Sequence, residues 1–288
     1  MAEQTQQRSN LLPDWKPAHA KEADRSNETR AYSIVTDKDP SALALVPLDG
    51  IIETARTSAG RDEVDWRTEH DPFAGLVDDR PARALAALRR YTGPTPTSYW
   101  SSLLWSEQRK ADPLRLTIAI AATLLELADD ALAEILNSVT WWFRYAHETL
   151  EARHSDLCSR LWERLLGIME NHPQTTRSGL VQRRDDRDWI GAALNAPAGR
   201  LTELALQRSG PTSADAQISD IWLERMRRLL ALPDDAGNHA LVYLARSIDY
   251  LFARAPAWTE IYIPGAGWHG FDPTNNKLAG DEHVSVGV

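Results

Sequence analysis

The sequence predicts a mainly α-helical protein, an irregular repeat-like array of antiparallel helices ending in a short C-terminal β-hairpin or coil tail. Three observations predict it. From about residue 41 to 254, apolar residues recur at the i, i+3, i+4 spacing of helices with one buried face. Start and stop signals punctuate that pattern roughly every twenty residues. Past Trp258 the spacing changes to the alternation of a strand. The 288 residues therefore read as a polar lead-in over 1–40, a helical array domain over 41–256 and a tail over 257–288.

The lead-in is rich in Gln, Ser, Asn, Lys, Asp and Glu, and buries too little apolar surface to offset the entropy of ordering. In the array, Asp79-Arg80-Pro81 and Asp112-Pro113 each open a helix. A proline in the first turn gives up an N–H that has no partner there, and the acid meets the positive helix end. Ala84, Leu85 and Leu88 line one face of the first helix, and Leu116, Ile120, Leu124 and Leu127 line the second. After Asp129-Asp130, Leu132, Ile135, Leu136 and Val139 lead into Trp141 and Trp142. Further helices are expected over 155–170, 189–194, 197–207, 218–231 and 237–253. In Asn195-Ala196-Pro197-Ala198-Gly199, Asn195 is placed to cap the following helix and Gly199 admits a close neighbour, so two helices should meet there at a tight corner. In the tail, residues 258–263 alternate as a strand and 264–267 turn it.

Composition excludes several classes of function. A formal net charge of −9 opposes nucleic acid and anionic membranes, which attract basic patches. The densest basic run, over 182–188, carries its own acids and reads as a self-paired surface. No apolar stretch is long enough to span a bilayer core of about 30 Å. The N-terminus lacks the pattern of a secretory signal. With Cys158 the one cysteine, no intrachain disulfide forms, which fits a cytoplasmic location.

Two constellations have the residue types of a functional site. His147, Glu151, His154 and Cys158 fall at i, i+4, i+7 and i+11, one stripe of potential metal ligands on an unbroken helix. Ser155-Asp156 is a capping signal expected to end that helix between His154 and Cys158, and a single helix face cannot enclose a tetrahedral ion. The expectation is a solvated polar stripe, with no metal and no cofactor. The second constellation is aromatic: Trp100, Trp105, Trp141, Trp142, Trp162, Trp189 and Trp222. Such rings serve either as core anchors or as outward hot spots for a protein partner, and exposure of Trp100 or Trp105 discriminates between the two.

The stretches "DPFAGLVDDRPARALAALRR" (71–90), "WIGAALNAPAGRLTELAL" (189–206) and "NHALVYLARSIDYLFARAPAWTE" (238–260) resemble a family of bacterial helical domains, the domain of unknown function 4020, found toward the C-terminal end of large sirtuin-like proteins. The resemblance covers about 40–260 and implies an architecture and a partner-binding or regulatory role in a defence-type protein. It transfers no catalysis, because its motifs are helix-packing motifs. No glycine-rich nucleotide loop follows a strand near the N-terminus.

The tail, "AWTEIYIPGAGWHGFDPTN" (257–275), is similar to the last catalytic strands of bacterial transglutaminase-like proteins. In that family a thiolate nucleophile, a histidine base and an orienting carboxylate act together. Asp272 matches the carboxylate. The position of the base is Pro256, which has no proton-accepting nitrogen, and His269 stands in a variable slot after Trp268. Cys158 lies inside an amphipathic helix, in "HSDLCSRLWERLL", without the glycine that precedes the nucleophile in that family. The change from one resemblance to the other inside Ala257-Trp258-Thr259-Glu260 reads as a junction between a helical fragment and an enzyme tail. The expectation is thus a non-catalytic helical interaction or regulatory module that binds a protein partner or another domain. The alternative is an incomplete transglutaminase-like cysteine hydrolase or acyltransferase using Cys158 and Asp272.

Overall fold

Why the apolar stripes become a fold is visible in a computed structural model. It describes residues 34–62, 65, 67–176, 188–207 and 220–247, together with the backbone of three C-terminal strands. The protein is mainly α-helical, with eleven α-helices and two three-stranded sheets among the described residues. Residues 1–33, most of the expected lead-in, lie outside them. None of the described helices is long and apolar enough to cross a membrane.

The described residues divide into two units. The smaller joins 34–37 to Gly60–His70 in a sheet of order β1-β3-β2. Strand β1 (Val35–Asp37) runs parallel to β3 (Thr68–His70), with Asp37 opposite His70, and β2 (Gly60–Arg61) pairs antiparallel to β3. Strands this short bury almost nothing, so their charged side chains take over. The His70 ring sits between Asp37, 2.9 Å from Nδ1, and Asp62, 3.2 Å from Nε2. Those two carboxylates hold the imidazolium form and raise the His70 pKa.

The larger unit carries the helices. After α1 (Ile51–Ser58), Asp71 caps α2 (Pro72–Asp79), its carboxylate accepting from Ala74 N at 2.9 Å, with Pro72 in the first turn. Pro81 begins α3 (Pro81–Arg90), as its position before an apolar stripe predicts, and Ala84, Leu85 and Leu88 are buried. Each such leucine contributes about 1.5–3 kcal/mol by leaving water. Helix α4 spans Thr97–Trp105, α5 Leu114–Glu126 and α6 Asp129–Glu134. The next, α7 (Leu136–Asn171), is the longest element and contains a break at His154, whose φ of −150° and ψ of 58° are not helical.

That break is a reversal. Trp162 stacks edge-on near Phe143 and His147, while Cys158, one turn earlier, approaches His147 and Glu151. Advancing along the second half therefore retreats along the first, so residues 136–153 and 155–171 form an antiparallel hairpin. Helix α7 packs on α4 and α5, with Ser138 Oγ of its first half 2.8 Å from Ser101 Oγ of α4, and α9 (Pro197–Gln207) also packs on α7. Buried Arg200 of α9 donates to the Asn137 side-chain oxygen at 2.8 Å and to its backbone carbonyl at 3.0 Å. Arg228 and Arg225 of α10 (Asp220–Leu230) reach Glu163 and Glu170 on the second half of α7, fixing the register of the two helices. The last described helix, α11 (Asp234–Arg246), packs against α9 and α8 (Trp189–Asn195).

The corner between α8 and α9 depends on Gly199. A Cβ there would lie 1.8 Å from the Ala193 carbonyl oxygen, so only glycine lets the two backbones approach this closely. Asn195 does not cap the helix that follows. As the last residue of α8, it donates its side-chain amide to the Gly191 carbonyl at 2.8 Å, closing its own helix.

At the C-terminus, β4 (Thr259–Ile263), β5 (Gly267–Asp272) and β6 (Lys277–Leu278) form an antiparallel sheet of order β4-β5-β6. The expected hairpin is its first pair, with Thr259 opposite Phe271 and Ile263 opposite Gly267.

Candidate functional site

The reversal in α7 creates the one grouping of three or more metal-ligand types among the described residues. On a straight helix, positions 147 and 158 would be separated by about 16 Å along the axis. Folded back, the donor atoms of His147, Glu151 and Cys158 all lie within 4.8 Å of one another. Cys158 Sγ is also 3.9 Å from the His147 carbonyl oxygen. His154 stands exposed at the break and is not in the group. Of the sequence-derived stripe, His147 and Glu151 thus meet each other and Cys158, through the very helix end that the capping signal marks.

Aromatic rings wall this site. The His147 ring lies edge-on to Phe143 at 5.3 Å and to Trp162 at 5.7 Å between centroids. The Arg225 guanidinium is 4.9 Å from the Trp162 ring, a cation–π contact. His147 and Cys158 are buried, at 2% and 1% exposure, whereas Glu151 is exposed, so the group has a dry end and a wet end. Burial and a hydrogen bond to the Glu151 carboxylate push the Cys158 thiol up to about 12. At neutral pH it is a proton donor. That is the reverse of an activated nucleophile, whose pKa is lowered by cations or a helix start. Asp272, the other candidate for the enzyme alternative, ends β5 with its backbone opposite Lys277. Pro256 lies outside the described residues, as does the run over 182–187, and the side chain of His269 is not described.

A second feature lies at the end of α4. Trp105, its last residue, is 49% exposed and lines a groove of about 660 Å³. Ala74 and Val77 of α2 add apolar surface, and Ser98, Ser102 and Ser106 add hydroxyls. The Lys38–Asp78 ion pair, 3.0 Å long, borders it, and Ser106 Oγ donates to the other Asp78 oxygen at 3.1 Å.

The other six tryptophans singled out by sequence behave differently. Trp100, Trp142 and Trp162 are buried, and Trp141, Trp189 and Trp222 are half-buried. Trp222 donates its indole N–H to the Ala205 carbonyl at 2.7 Å, the partner a part-buried indole requires. Lys38 and Asp78 were not apparent as groove residues, because the helix that brings them together, α2, carries no signal of a site. The run Ser101-Ser102-Leu103-Leu104-Trp105-Ser106, hydroxyls on one face and a ring at its end, was the available sign. No family model, curated protein or solved structure matches this chain, so its chemistry is read from its own residues.

Proposed function

We propose that the chain is a non-catalytic helical interaction module whose groove at Trp105 takes an extended segment of a partner protein. The carrying observation is the exposure of Trp105 while the other described tryptophans, Trp100, Trp141, Trp142, Trp162, Trp189 and Trp222, are buried or half-buried. Exposed indole in a concave, mixed surface is the composition of binding hot spots, where a ring fills apolar contact and its rim offers hydrogen bonds. A volume of about 660 Å³ falls within the roughly 300–1,000 Å³ of clefts that enclose ligands. Serine hydroxyls around the ring supply donors and acceptors for a peptide backbone. The resemblance to helical domains of large bacterial proteins fits such a docking or regulatory role. The buried, proton-holding thiol of Cys158 gives no support to the hydrolase alternative.

Peptides selected from a display library on the full chain test this reading. Trp105→Ala is expected to weaken the selected binders about thirtyfold or more, as loss of a hot spot worth at least about 2 kcal/mol does. Far-ultraviolet circular dichroism should stay unchanged, since the ring is half in solvent. Binders indifferent to this substitution and to Ser102→Ala, or no binders at all, would reject the groove as the docking site.

A further inference from the structure

We propose that the α7 hairpin binds one zinc ion through His147, Glu151 and Cys158. The three residues bring nitrogen, oxygen and sulfur donors to one point from two antiparallel segments, and that is the donor set of a borderline-soft divalent cation. Magnesium and calcium prefer all-oxygen shells and are not served by this set. Bonds of 2.0–2.3 Å to a tetrahedral ion put neighbouring donors about 3.3–3.8 Å apart. The observed donors lie within 4.8 Å, so closure about an ion needs a contraction of about 1 Å. Glu151, exposed and with three side-chain torsions, can supply it, while His147 and Cys158 are held by their packing.

Charge supports the same assignment. A zinc dication with one thiolate, one carboxylate and one neutral imidazole is a net-neutral group, which a buried aromatic pocket tolerates far better than a lone charge. Binding releases the thiol proton to solvent and forms the metal–sulfur bond in its place. The fourth position faces the exposed Glu151 end, where water completes the tetrahedron. Because the ligands lie on both sides of the His154 break, the ion clasps the reversal itself and stabilises the hairpin by mass action.

The test uses the full chain stripped by a chelator and titrated with zinc, then with cobalt as a spectroscopic substitute. Expected are one ion per chain, a rise in Tm on zinc addition, and a thiolate-to-cobalt charge-transfer band. Glu151→Gln should weaken binding at least tenfold while leaving the metal-free fold intact, since that side chain is exposed. Cys158→Ser should abolish the band, and His154→Ala should change nothing. Absence of stoichiometric binding, binding unaffected by both Glu151→Gln and Cys158→Ser, or binding lost with His154→Ala would overturn the assignment.

Discussion

Replacing Gly199 by alanine and, separately, Gly167 by alanine measures how tight the α8–α9 corner is. Alanine is favoured over glycine in a helix by about 0.8–1.0 kcal/mol. At Gly167, in the second half of α7, a new Cβ meets no atom within 4 Å beyond its own helical turn, so that preference is undiminished and Gly167→Ala should stabilise by up to about 1 kcal/mol. At Gly199 the same methyl falls 1.8 Å from the Ala193 carbonyl oxygen and 2.7 Å from its carbon. That is about 1.6 Å short of the 3.4 Å at which ordinary contact begins, and a backbone carbonyl cannot rotate aside. Overpacking of this kind costs typically about 1–3 kcal/mol. With the upper end of that range set against the helix preference, Gly199→Ala should destabilise by about 2 kcal/mol. Urea unfolding followed by tryptophan fluorescence reads both variants, provided the m-value is unchanged. A Gly199→Ala chain as stable as the parent or more stable would show that the two helices do not approach this closely.

Three other outcomes follow from buried or paired charges. Asn137→Ala takes from the buried Arg200 guanidinium, whose pKa desolvation lowers to about 10, its shortest acceptor there, leaving the backbone carbonyl of residue 137 and Thr140 Oγ1 at 3.5 Å, and should cost about 1–3 kcal/mol in the same urea assay. The Cys158 thiol of the metal-free chain should resist thiol reagents at neutral pH and react at full rate only on unfolding. Because its folded pKa is about 12 and the unfolded value about 8.5, the native state keeps the proton longer, and stability attributable to the thiol should fall as pH rises above about 8.5, a slope that Cys158→Ala removes. For His70, NMR titration should give a midpoint above its ordinary value, and Asp62→Asn or Asp37→Asn should lower it. The raised pKa means that its contribution to the small sheet is complete below about 6.5 and is lost as pH climbs through the folded value.

How much of this was legible in the sequence depends on whether a residue's task is local. Pro81 and the stripe of Ala84, Leu85 and Leu88 mark a helix by themselves, and the structure places α3 on them. Gly199 was legible for the same reason, because a glycine in a first helical turn beside a proline has few uses other than close approach. Helices α1, α2 and α4 were not individually apparent. They are short and their apolar positions make sense only against one another, as Phe73 of α2 against Tyr99 of α4 shows, with ring centroids 4.7 Å apart. The sheet of β1, β2 and β3 left no trace either, since its strands span two or three residues and lean on His70 between two carboxylates instead of an alternating apolar face.

The stripe at 147–158 shows how a correct local reading can point away from its consequence. The capping signal at Ser155-Asp156 does accompany a helix break, at His154. On a one-dimensional view a break removes Cys158 from the stripe and dissolves any site. In three dimensions the chain reverses at the break, and two helix faces replace one. A single face cannot surround an ion, but two antiparallel faces can, because donors then converge from opposite sides across a gap that the core rings hold open. Phe143 and Trp162 set that gap at 6.0 Å between ring centroids, and His147 and Cys158 are buried in the same layer. Spacing along one helix therefore could not have identified the three residues that meet. What would have done so is the pairing of 143 with 162 and 147 with 158, a pattern centred near the break and recognisable in a sequence only once a helix end is read as a place where the chain turns back.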